Sequence, residues 1–123
     1  MVKDYDVKKF ARDLECRTKM FAIQIIRLSQ NIPNTSEGRV IKNQVTKSGT
    51  SIGANYREAN RARSKADFRN KIRICESEAS ETQYWLEIIR ECRFAEEEDI
   101  QAVLKECSEL LALFTAIRTR NQF

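Results

Sequence analysis

VKKFARDLECRTKMFAIQIIRLSQNI, residues 7–32, spaces its apolar side chains as a helix with one buried face requires. Val7, Leu14, Phe21 and Leu28 recur every seven residues, and Ala11, Thr18, Ile25 and Ile32 follow four residues behind each of them. Seven residues make about two helical turns, so the two rows fuse into a single apolar stripe at heptad spacing. A helix is expected over about residues 7–30, ended by Asn31-Ile32-Pro33-Asn34. Pro33 lacks an N–H and disfavours helix in the residue before it.

Beyond that stop the pattern resumes. A second helix is expected from about residue 37 to 63, entered through Ser36-Glu37, where a serine or threonine can accept a bond from an unpaired first-turn N–H. Its inward row reads Ile41, Val45, Ser48, Ile52, Asn55 or Tyr56, and Ala59. Gly49 and Gly53 interrupt it one turn apart. Each mid-helix glycine costs about 1 kcal/mol relative to alanine. The expected compensation is the close approach of another helix backbone; the alternative is a kink.

A third helix is expected over residues 65–93. Ser64-Lys65-Ala66-Asp67 resembles a capping box with Asp67 in the glutamate position. Its stripe reads Phe68, Ile72, Cys75, Ala79, Thr82, Leu86 and Ile89. The fourth, over residues 96–118, opens on Glu96, Glu97, Glu98 and Asp99 and carries Arg118 at its end, with Arg120 just beyond. Both signs suit the helix dipole. Its apolar row runs Ile100, Val103, Leu104, Cys107, Leu110, Leu111, Phe114 and Ile117.

Three short connections between rods of ~25 residues, each about 37 Å long, make neighbours antiparallel. The expected fold is all-α, an up-down-up-down four-helix bundle spanning residues 1–123 as one domain. A long two-helix hairpin that pairs with another copy is the alternative. With 3 Gly and 1 Pro in 123 residues, a turn-rich sheet is disfavoured. No apolar run approaches the ~20 residues of a membrane span, and the polar start Met1-Val2-Lys3-Asp4-Tyr5-Asp6 reads as no secretory signal. Cys16, Cys75, Cys92 and Cys107 fit neither a zinc site nor a dense disulfide framework, and read as reduced thiols in a cytosolic setting.

The net charge of +4 conceals a polarity. Residues 39–73 hold ten Lys or Arg against Glu58 and Asp67, a local balance of +8. Residues 74–110 hold eleven acids against Arg90, Arg93 and Lys105, a balance of −8. Arg57 and Arg61 lie one turn apart, Arg63 follows, and Lys65, Arg69 and Arg73 continue at intervals of four on the next helix. Like charges at this spacing repel by a few tenths of a kcal/mol, so the row does not serve the helix. It reads as a ridge for RNA or DNA phosphates. The competing reading is a solvated face, or one that pairs with the acidic half of this or another chain.

Catalytic constellations are poor. Histidine is absent, which removes the commonest general base and metal ligand. Glu76, Glu78 and Glu81 supply carboxylates, but a di-iron bundle needs Glu-x-x-His pairs. Ser48 and Ser51 have no base nearby in sequence. Gly49-Thr50-Ser51-Ile52-Gly53 lacks the lysine and the preceding strand of a phosphate loop. Neither an enzyme, nor a metal, nor a cofactor is expected.

Two segments carry a family resemblance: Ser48-Gly49-Thr50-Ser51-Ile52-Gly53-Ala54-Asn55-Tyr56-Arg57-Glu58-Ala59 and Ser64-Lys65-Ala66-Asp67-Phe68. It continues from Ile72 to Ile89 through Glu78-Ala79-Ser80-Glu81-Thr82 and Tyr84-Trp85-Leu86-Glu87. Over about residues 10–118 the chain resembles the bacterial four-helix-bundle family of 23S ribosomal RNA intervening-sequence proteins. The resemblance implies a bacterial, cytoplasmic protein, ring-like homopentamers, and no catalytic residues. For many members the role is unknown. A related branch, the accessory variability determinants of diversity-generating retroelements, binds nucleic acid and a reverse transcriptase through a basic surface. Ser51, Ile52, Asn55 and Glu58 match the second-helix motif; Arg63, Ser64, Asp67 and Phe68 match the turn after it. Ala59 replaces the commoner glycine. Gly49, Ser51, Gly53, Asn55 and Glu58 are therefore expected at a structural seam or subunit interface, with Asn55 and Glu58 tying the second helix to the third or to a neighbour.

The functional expectation is a non-catalytic, oligomeric nucleic-acid-binding bundle, its ligand RNA. The alternative is a protein-interaction scaffold whose basic and acidic halves drive self-assembly or partner binding.

Overall fold

The structure, a computed structural model, describes residues 4–121; residues 1–3 and 122–123, the ends of the expected 1–123 domain, lie outside the described residues. Four helices follow one another: α1 (Asp4–Ser29), α2 (Ser36–Ala59), α3 (Lys65–Glu91) and α4 (Glu97–Arg120). Each packs on its chain neighbours, and α1 closes the ring against α4 along the most sparsely packed seam. Across α1 and α2, Ile25 lies on Gly49 while Thr18 lies on Gly53, so the two helices run oppositely. Across α2 and α3, Ser48 meets Thr82 and Glu58 meets Lys71, again antiparallel. No helix among the described residues is long and apolar enough to cross a membrane.

The breaks follow local chemistry. The last backbone bonds of α1 tighten to i→i−3 at Gln30, Asn31 and Ile32 before Pro33. Thr35 caps α2, which starts at Ser36, by accepting the Gly38 N–H at 3.0 Å. Gly38 is needed there, because a Cβ would fall on the Pro33 carbonyl. Ser64 caps α3 by accepting the Asp67 N–H at 3.0 Å, as the box motif predicts. α2 ends at Ala59, four residues before the expected 63, because Arg61 and Ala62 make i→i−3 bonds and Asn60 reaches across to Glu15 of α1 at 2.8 Å. α3 ends at Glu91 rather than 93: Arg93 turns left-handed (φ 57), and Phe94 N–H bonds the Ile89 carbonyl at 3.0 Å in a Schellman closure.

The core is the predicted stripes brought together. Phe21, Ile25, Ile52, Ile72, Leu86, Ile89, Ile100, Leu110 and Phe114 are fully buried, each stabilising by about 1.5–3 kcal/mol. Of the alternatives Asn55 and Tyr56, Tyr56 is the inward residue; its ring meets Phe114 edge-on at 5.5 Å, joining α2 to α4 across the core. The buried hydroxyls are bonded: Thr18 to the Leu14 carbonyl at 2.9 Å, and Ser48 to Thr82 at 2.9 Å. Burial pushes the Cys75 and Cys107 thiols up to about 12, while Cys16 and Cys92 are exposed. Val7 departs from expectation. It lies on the inward stripe but is 54% exposed, because the last buried layer at that end is Leu14, Ala59 and Phe114 and Val7 sits two turns beyond Leu14.

Gly49 and Gly53 mark a close approach, not a kink, and the helix that approaches is α1. A Cβ on Gly49 would stand 2.8 Å from Ile25 Cγ1; on Gly53, 3.0 Å from Thr18 Oγ1. α2 runs unbroken through both.

Candidate nucleic-acid interface

In an antiparallel bundle the start of α1, the end of α2, the start of α3 and the end of α4 share one end. Arg57, Arg61, Arg63, Lys65 and Arg69 all belong to that end. α4 adds Arg118 and Arg120 from its last turn, a contribution that position in the sequence hides. Lys65, Phe68, Arg69, Arg120 and Asn121 line one shallow cavity there.

The expected ridge is not one face. Arg57 and Arg61 look toward α1, sharing a groove with Glu15 and Lys19. Lys65 and Arg69 look toward α4 and Arg120. Arg73, exposed on α3, continues that second flank. The two flanks meet only at the turn that carries Arg63. Helical spacing of four cannot be carried across residues 60–64, where the chain reverses, and that is why the row divides.

Charge pairing separates the basic stretch from the acidic one. Among the described residues, Arg39, Lys42, Lys47, Arg61, Arg63, Lys65 and Arg73 form no ion pair with an acid of 74–110, and Lys47 acts on Glu78 only through space, opposing its upward shift. The acids are met by other bases. Arg17 forks onto Glu106 at 2.6 and 2.8 Å and reaches Glu109 at 2.8 Å, and these bonds, with Glu106 foremost, lift its guanidinium further above its ordinary value despite burial. Arg90 meets Glu97 at 2.6 Å. Arg118 Nε donates to Glu76 at 2.6 Å and Thr115 donates at 2.7 Å. Burial alone raises the Glu76 carboxyl, but these two bonds outweigh it and hold it below the ordinary 4.5. Within the basic stretch, Lys71 pairs with Glu58 at 2.9 Å, and Arg57 approaches Glu15 only at 3.8 Å. Arg61, Arg63, Lys65 and Arg73 are exposed and make no ion pair among the described residues.

The motif residues of α2 take different places. Glu58 ties α2 to α3 through Lys71, whose bond pulls the Glu58 carboxyl down. Asn55 stays on its own helix, donating to the Ser51 carbonyl at 2.8 Å, and Ser51 donates to the Lys47 carbonyl at 2.6 Å. Beside them on α3, burial first and Glu81 second raise the Glu78 carboxyl. Trp85 Nε1 donates to Glu81 at 3.2 Å.

Comparison with known proteins agrees with this architecture. The family model for 23S rRNA-intervening sequence protein matches residues 12–116. A crystal structure of a protein with unknown function from the S23 ribosomal protein family of Bacteroides thetaiotaomicron VPI-5482 is similar, with a TM-score of 0.78 and 36% sequence identity over 85% of this chain and 96% of that one. No curated protein matches. A match across nearly the whole bundle, together with a superimposable relative of more than a third identity, places the chain in the 23S rRNA-intervening sequence protein family.

Proposed function

We propose that the protein is a non-catalytic, nucleic-acid-binding bundle of the bacterial cytoplasm, with RNA as its ligand, working as a homo-oligomer. The observation that carries this reading is the basic end: Arg61, Arg63, Lys65 and Arg73 are exposed and form no ion pair among the described residues, with Arg120 beside Lys65. Cations held apart from their own carboxylates are available to displace phosphate counterions. Repetition of one end around an oligomer multiplies weak contacts through effective concentration.

Titration of a fluorescent structured RNA at several salt concentrations tests it. With ~5 phosphates neutralised per site the log–log slope is expected near −4. Arg63→Glu/Lys65→Glu/Arg73→Glu, matched for oligomeric mass, should lose most of the affinity. Binding that ignores salt, or that survives in this variant, sinks the reading.

A second reading, a self-assembling scaffold, is favoured by Tyr5 (68% exposed), Val7 and Phe10 standing uncovered on the first turns of α1. Exposed carboxylates at residues 96–99 occupy the opposite end from the basic cluster, which suits head-to-tail contact. Mainly ionic assembly should dissociate in molar salt; an unchanged mass by light scattering would exclude it.

A further inference from the structure

The groove between α1 and α2 has the makings of a site of its own. It encloses about 400 Å³. Its floor is Thr18, Ala22 and Gly53, small side chains that let a ligand come close to two helix backbones. Its cations come from both helices: Lys19 from α1, Arg57 and Arg61 from α2.

Two carboxylates, Glu15 and Glu58, also border it, and the shortest bond of each goes to a residue outside the lining. Glu15 accepts from the Asn60 amide at 2.8 Å, and Glu58 accepts from Lys71 of α3 at 2.9 Å. Arg57 reaches Glu15 only through Nε at 3.8 Å. A charge-assisted bond is about 2.7–2.9 Å, so the Arg57 fork is not committed to that carboxylate. Lys19 and Arg61 make no ion pair among the described residues. Three cations thus converge from two directions on a concave space. A flat carboxylate is matched by one guanidinium fork; a tetrahedral group with several charged oxygens uses all three.

We propose that this groove is a phosphate-binding slot, with Lys19, Arg57 and Arg61 as its contacts and one phosphodiester of an RNA strand as its occupant. It deepens the nucleic-acid reading and rests on it for the identity of the ligand. Lys19 lies outside residues 39–73, which is why charge counting along the chain misses it. The slot adds a grip on the α1–α2 flank to the exposed cations of the turn and the α3–α4 flank.

The test uses full-length protein, a fluorescent single-stranded RNA, and inorganic phosphate. Lys19→Gln/Arg61→Gln changes exposed side chains only, and should weaken RNA binding about 10-fold or more while reducing the magnitude of the salt slope by about 2. Ala22→Phe fills the floor without altering charge and should weaken binding too, with circular dichroism verifying the fold. Amide NMR shifts of Thr50, Gly53 and Ala54 on adding phosphate or RNA report occupancy directly. If both groove variants bind RNA like the unaltered protein while Arg63→Glu/Lys65→Glu/Arg73→Glu does not, the slot is excluded and the nucleic-acid reading stands. If RNA does not bind at all but phosphate shifts those amides, the slot holds free phosphate and the nucleic-acid reading fails. If neither ligand moves them, the slot is overturned.

Discussion

α1 is held on its two sides by different physics. Toward α2, the contact is shape: Ile25 and Thr18 fill the space that Gly49 and Gly53 leave open, with Ile25 and Thr18 fully buried. Toward α4, the contact is charge: Arg17, about a third exposed, forks onto Glu106 and Glu109 across a thinner interface. Dry packing of this kind ignores salt, and ion pairs at a wet seam do not. One helix therefore carries a rigid edge and an adjustable one.

Adding a single carbon to the rigid edge should have the largest effect. Ile25 is β-branched and enclosed, so it cannot swing away from a Cβ at 2.8 Å. Overpacking costs about 1–3 kcal/mol and better helix propensity returns about 1. Because the enclosed Ile25 cannot yield, the upper half of that balance applies: Gly49→Ala should lose about 1–2 kcal/mol in urea unfolding, and the loss should be the same in molar salt. Gly53→Ala, at 3.0 Å from Thr18, should lose less. A Gly49→Ala protein as stable as the parent would show that the helices are not in close contact.

At the adjustable edge, Arg17→Gln should cost about 0.5–1 kcal/mol at low salt. That difference should vanish at high ionic strength. A cost that survives molar salt would mean that the Arg17 stem packs, and that the two edges are less different than their chemistry implies.

Acid extends the contrast to the α3–α4 seam. Glu76, held below 4.5 in the folded chain by Thr115 and Arg118 against burial, contributes stability that is fully present above that value. The contribution is lost as pH falls through the depressed value. Glu78, two residues on but beside Lys47 of α2, is raised by burial and Glu81 against the pull of Lys47, so its effect has the opposite sign: it favours the folded state at low pH and fades as pH rises through its raised value. Melting temperatures from neutral pH downward should fall below pH 4.5 in the parent, and Glu76→Gln should flatten the fall.

The smallest effect is expected at Arg93, the left-handed residue that closes α3. This conformation costs a non-glycine residue about 1–2 kcal/mol, partly offset by the entropy glycine loses on folding. Arg93→Gly should gain several tenths of a kcal/mol and leave salt and pH profiles unchanged.

The four helices were legible because apolar period, caps and proline agreed with one another. Thr18, Ser48 and Thr82 fell in the inward rows despite their hydroxyls, and are buried and bonded there. Helix ends were less legible. Asn60, the residue after α2, bonds Glu15, a contact 45 residues away that no local pattern announces. Val7 fits the stripe, but a stripe does not reveal where neighbouring helices stop. The basic cluster was half legible: Arg57 to Arg73 stand together in sequence, whereas Arg120 and Lys19 reach it only through antiparallel topology. Gly49 and Gly53 announced a close partner but not its identity.

The four cysteines give the seams a clock. Cys75 donates to the Ile52 carbonyl between α2 and α3, and Cys107 to the Ala79 carbonyl between α3 and α4. Cys16 and Cys92 face solvent. A disulfide reagent added to the native, unaltered chain would consume two thiols at once, and each of the others only when its own seam parts. Thiolate, not thiol, reacts, so the slow pair waits on opening rather than on leakage through the fold. Timing the two slow adducts separately by peptide mass would give an opening free energy for each seam.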